Sequence, residues 1–76
     1  RYTLSVEIMT GSYLDGKEVN ELRLPEHCII INVHRDRKDL TPAGTRLIPG
    51  DQVQIEMDAQ DIEKLYEPLV SMANIY

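Results

Sequence analysis

Cys28-Ile29-Ile30-Ile31-Asn32-Val33-His34 is the stretch on which the reading of the whole chain turns. Four of its seven residues are β-branched. Such side chains suit a pleated, half-buried surface and are crowded on a helix. Strict alternation puts Ile29, Ile31 and Val33 on one face and Cys28, Ile30, Asn32 and His34 on the other. The second face mixes apolar and polar groups. A strand apolar on both faces is usually covered on both. In a chain of 76 residues, another subunit or a ligand is expected to supply the second cover.

Working outward, Tyr2-Thr3-Leu4-Ser5-Val6-Glu7-Ile8 alternates cleanly, with Tyr2, Leu4, Val6 and Ile8 inward. Asp15-Gly16-Lys17-Glu18 then reads as a helix start, Asp15 capping and Glu18 reaching back. Val19 and Leu22 face inward from that short helix, and Pro25 closes it. After the central strand, Arg35-Asp36-Arg37-Lys38 is a polar hairpin turn, with a short return strand over 39–41. Pro42-Ala43-Gly44 turns again, Thr45 to Ile48 is extended, and Pro49-Gly50-Asp51 makes a further turn. Gln52-Val53-Gln54-Ile55-Glu56-Met57 alternates with Val53, Ile55 and Met57 inward. The period then changes. Ile62, Leu65, Tyr66, Leu69, Met72 and Ala73 form one helical stripe, with Asp58 as cap and Asp61 near the third position. Pro68 is expected to kink or divide that helix around residues 64–67. The order predicts a single α+β domain over 1–76, with a mainly antiparallel sheet, a short helix after the first strand and a C-terminal helix.

Composition narrows the function. Thirteen acids against eight bases give a net charge of −5, which argues against nucleic acid, whose affinity comes mainly from Lys and Arg on phosphate. The single cysteine, Cys28, cannot form an internal disulfide, and its place in an apolar strand marks a packing thiol. No apolar run approaches the roughly 20 residues of a membrane span. The chain opens at Arg1 without an initiator methionine, as a segment of a longer protein would. His27 and His34 flank the central strand, too far apart along it to share a metal. The acids Asp58, Asp61 and Glu63 sit where a helix start favours negative charge, without calcium-loop spacing. Gly11, Gly16, Gly44 and Gly50 are isolated and build no phosphate loop. No catalytic set emerges, no metal site is expected and no cofactor is required. Arg35, Arg37 and Lys38 form the dense basic cluster, and Arg23 lies upstream. Arg37 and Lys38 read as a solvated hairpin tip. Arg23 and Arg35, which flank the apolar strand, are the candidates for anion contact.

Taken in order, four segments resemble a known pattern. These are the strand Leu4 to Ile8, Gly16-Lys17-Glu18-Val19-Asn20-Glu21-Leu22-Arg23-Leu24-Pro25, the strand Ile29 to Arg35 that ends in an arginine, and Thr41 to Val53 with its Gly50-Asp51 before a strand. The chain resembles the TrkA-C domain, the C-terminal half of the RCK (regulator of potassium conductance) unit, over nearly its whole length. The resemblance implies a cytoplasmic regulatory domain of a membrane channel or transporter that forms a homodimer. It also implies a nucleotide second messenger, cyclic di-AMP, as ligand in a cleft between two copies. By position it implies ligand contacts from Arg23, Ile29, Ile30, Asn32, His34 and Arg35. Ile29 stands where that binding pattern carries an asparagine, and Asn32 where a small residue is usual. A bacterial ClC-type chloride channel or transporter tail is the host it suggests. A module that only holds two transporter subunits together is the alternative.

Overall fold

In a computed structural model, which describes residues 2–74, the chain forms a four-stranded antiparallel sheet backed on one face by loops and a helix. The strands are β1 (Tyr2–Glu7), β2 (Ile29–Arg35), β3 (Lys38–Leu40) and β4 (Gln52–Met57), and the helix is α1 (Ile62–Ala73). The spatial order is β1-β4-β2-β3, so β4 and β2 are the inner strands and β1 and β3 are the edges. This is the α+β architecture expected from the patterning.

The core forms from the inward phase of each strand. Leu4 pairs with Ile55 and Val6 with Val53 across β1 and β4. Ile30 pairs with Ile55 and Val33 with Val53 across β2 and β4. Leu14, Leu47, Leu69 and Ala73 cover this layer from the loops and the helix. Tyr2 lies at the rim of the layer, 37% exposed.

The expected face assignment of the central strand is corrected by one residue. Between Ile30 and Asn32 the register with β4 shifts, because Ile31 is an extra residue in the β2 ladder. Alternation is interrupted there. Ile30 and Val33 both point to the core, whereas Ile29 and Ile31 are 58% and 42% exposed. Asn32 and His34 pair with Gln54 and Gln52 on the outer phase. Val33 therefore does not share a face with Ile29 and Ile31, and Ile30 does not share one with Asn32 and His34.

Local corrections have similar causes. The short helix is a single 3-10 turn, Val19–Glu21, and its cap is Glu18 rather than Asp15. The Glu18 N–H donates to the Glu21 carboxylate at 3.0 Å, while Asp15 accepts from the Gly11 N–H at 2.8 Å. The polar hairpin turn is present, with Asp36 and Arg37 both at positive φ, as the two-residue turn that matches strand twist requires. Pro68 neither divides nor ends α1, which runs through it. Asp58 precedes a 3-10 turn, Ala59–Asp61, and holds it by its backbone carbonyl rather than its side chain.

Candidate functional site

Everything apolar and buried lies on one side of the sheet, so the other side is open. β1 contributes Thr3, Ser5 and Glu7 to it, and β4 contributes Gln52, Gln54 and Glu56. β2 adds Ile29, Ile31, Asn32 and His34, and β3 adds Asp39 opposite His34. The result is a polar sheet face with two exposed isoleucines at the start of β2.

Four of these polar groups are joined. The Asn32 amide donates to Asp39 Oδ1 at 3.0 Å and to Gln54 Oε1 at 3.3 Å. His34 Nδ1 lies 2.9 Å from the same Asp39 oxygen. Asp39 thereby links β2 to the short edge strand β3. The bonds from Asn32 and His34 hold its carboxyl below the usual carboxylate range. This strip offers amide, imidazole and carboxylate groups to a ligand, with the isoleucines beside them as an apolar floor.

The six sequence candidates separate into three groups. Ile29, Asn32 and His34 stand on the open face. Ile30 is 8% exposed and packs in the core, away from it. Arg23 is exposed in the loop before β2, and its guanidinium has no hydrogen-bond or ion-pair partner among the described residues. Arg35 is engaged elsewhere: its Nε donates to Asp51 Oδ1 and its Nη2 to Asp51 Oδ2, both at 2.7 Å, and Nη2 also donates to the Arg46 carbonyl at 2.8 Å. Asp51 is 1% exposed. Burial pushes its carboxyl up, but the two Arg35 bonds and the Ile48 N–H outweigh that, so the net direction is down. The hydrogen bonds that Arg35 donates to Asp51 in turn raise Arg35. The guanidinium is a clamp between the end of β2 and the loop before β4.

That clamp was open to sequence reading and was missed. Asp51 lies in phase with Val53, Ile55 and Met57, which face inward. An acid on the buried phase needs a cation, and Arg35 is in phase with Val33. Ile31 as a member of the open face was missed for a different reason, since the bulge moves it there. Cys28 is buried, with its thiol pushed up by burial and by Asp61, which suits packing rather than reactivity. Among the described residues no helix is long and apolar enough to cross a membrane, and no group of three or more His, Cys, Asp and Glu side chains is placed to hold a metal.

This arrangement of a four-stranded antiparallel sheet and a C-terminal helix is that of an RCK-like fold. A solved structure described as "Structure of RCK domain with cda" matches with a TM-score of 0.68, covering 88% of this chain and 96% of that one at 15% identity. At that identity the likeness is one of fold. The chain belongs to the TrkA-C domain family, which it matches over residues 4–70. Over 63 residues, 82% of its length, it is 35% identical to the Trk system potassium uptake protein TrkA homolog of Archaeoglobus fulgidus. It spans 14% of that relative's length.

Proposed function

We propose that this chain is a cytosolic regulatory domain of an ion-transport system that pairs with a second copy and takes a small anionic ligand, cyclic di-AMP being the first candidate. The observation that carries this reading is the open face of β2. Ile29 and Ile31 are exposed beside the Asn32–His34–Asp39–Gln54 strip, and Arg23 stands nearby in sequence with an unengaged guanidinium. An apolar floor with a few fixed polar groups is the usual make-up of a ligand cleft. A free guanidinium suits a phosphate. The relative's name favours a potassium-transport host over a chloride-channel tail. No catalytic role is assigned.

Thermal denaturation with cyclic di-AMP tests the sensing claim. Ligand at about 100 times its dissociation constant stabilises a folded domain by roughly 2.7 kcal/mol. A saturable rise in Tm that is lost in Arg23→Ala is the expected result. A flat response to cyclic di-AMP leaves the second reading, a ligand-independent assembly module, which the same exposed isoleucines favour. Light scattering separates that in turn, because pairing through this face is weakened by Ile31→Glu.

A further inference from the structure

The two edges of the sheet are protected very differently. β3 has three residues, begins at Lys38 after Arg37, and is followed by Pro42, all features that discourage another strand from adding. β1 has six residues and contains no Lys, Arg or Pro, and its one charge, Glu7, is at its end. Its backbone is also oriented for pairing. The Ile8 N–H donates to the Asp51 carbonyl at 2.9 Å, so Ile8 directs its backbone groups to the β4 side. With a period of two, Leu4 and Val6 also direct their backbone groups at β4. Thr3, Ser5 and Glu7 then direct theirs to the free edge. An open groove runs along that edge, walled by Leu4, Val6 and Met9 on one side and by Tyr66 and Val70 of α1 on the other. Met9 and Tyr66 are 46% and 48% exposed.

We propose that β1 pairs antiparallel with β1 of a second copy about a two-fold axis at Ser5, giving one continuous sheet with four strands from each copy. Charge and overlap are both compatible with this register. Centred on Ser5, Thr3 opposes the second copy's Glu7, Leu4 opposes its Val6, and no like charges meet. Centring on Glu7 would set two carboxylates against each other, and centring on Thr3 would leave most of the strand unpaired. A two-fold perpendicular to the sheet keeps both helices on the same face. The exposed Tyr66 and the half-buried Val70 of each copy then approach those of the other over the axis. The net charge of −5 on each copy opposes association, but a screening length of about 8 Å at physiological salt confines that repulsion. This contact uses a different surface from the β2 face proposed above.

Sedimentation of the chain at 150 mM salt, over roughly 1 to 100 µM, resolves the two contacts. The Ile31→Glu variant removes pairing through β2, and it is expected to retain a monomer–dimer equilibrium. Adding Ser5→Pro should weaken that dimer at least tenfold, because proline deletes an N–H that points to the free edge and leaves the ladder with β4 intact. Tyr66→Glu, an exposed helix position, should act in the same direction without touching the strand. Amide exchange at Thr3, Ser5 and Glu7 should slow as concentration rises. A monomer throughout the range for Ile31→Glu overturns the β1 pairing, whatever other strand that edge receives, and so does unchanged assembly in a folded Ser5→Pro chain. Failure of the β2 reading has a different signature: Ile31→Glu would leave the unsubstituted assembly as it was.

Discussion

Asp51 ties the turn before β4 to the end of β2 and to the end of β1. Its carboxylate takes both Arg35 bonds and the Ile48 N–H, and its backbone carbonyl takes the Ile8 N–H of the neighbouring chain segment. Gly50, just before it, sits at φ 92°, where an L side chain is strained, and donates its N–H to the Ile8 carbonyl at 2.8 Å. A Cβ at Gly50 would meet nothing within 4 Å, so the demand for glycine there is purely conformational. Asp51→Asn keeps the volume and removes the charge that Arg35 meets. Charged hydrogen bonds are worth about 1.5–3 kcal/mol, so a loss of roughly 2–3 kcal/mol is expected in urea unfolding, because Arg35 keeps some solvent. A loss under ~0.5 kcal/mol, the range of ordinary surface changes, would mean that the clamp contributes little. The Gly50-Asp51 turn was legible from the sequence as a turn. Its role as the anchor for Arg35 was visible only in the strand phase, and the same arginine also read naturally as a ligand contact.

At the scale of elements, β1, β4 and α1 were legible because each keeps one period from end to end. β2 was legible as a strand but not in its faces, since a bulge adds a residue that leaves no composition signal. Two substitutions test this phase directly. Ile30→Glu buries a charge in the core and should unfold the chain or cost more than about 3 kcal/mol. Ile31→Glu, one residue on, should stay within about 0.5 kcal/mol of the parent when measured as a monomer. Equal losses would mean that β2 keeps strict alternation. Pro68 was overridden by its surroundings. Leu69 and Ala73, buried on the sheet, hold the last turns of α1, and the Ala73 and Met72 carbonyls accept from Met9 and Leu14. The helix is therefore kept despite the bond that proline cannot make to Lys64. Pro68→Ala restores that bond at an exposed site and should stabilise by about 1–3 kcal/mol, the usual penalty of an interior proline. Unchanged or lower stability would place the tolerance in a stiffened unfolded chain instead.

For the whole molecule, the sheet is packed on one face only, and 76 residues give a core with little margin, so few-kcal/mol effects decide whether it is folded. The open face was anticipated as a surface to be covered, though with Ile30 where the bulge puts Ile31. The margin has a pH dependence that follows from Asp51. Its folded-state carboxyl titrates below the unfolded value of about 3.9, so the folded chain binds its proton less readily than the unfolded one. Stability from this group is therefore fully present above about pH 5 and is lost as pH falls through the folded value. Asp39 is shifted the same way and adds to the same limb, but its exposure leaves it the lesser contributor. Arg35 keeps its proton throughout and adds no slope. Urea unfolding between pH 7 and pH 3 should thus show stability falling on the acid side. Asp51→Asn should begin lower at pH 7 and fall less steeply, so that the gap between the two curves narrows as pH falls toward 3. Parallel curves would mean that the acid limb belongs to other carboxylates and that the Arg35 clamp is not the group through which protons reach the fold.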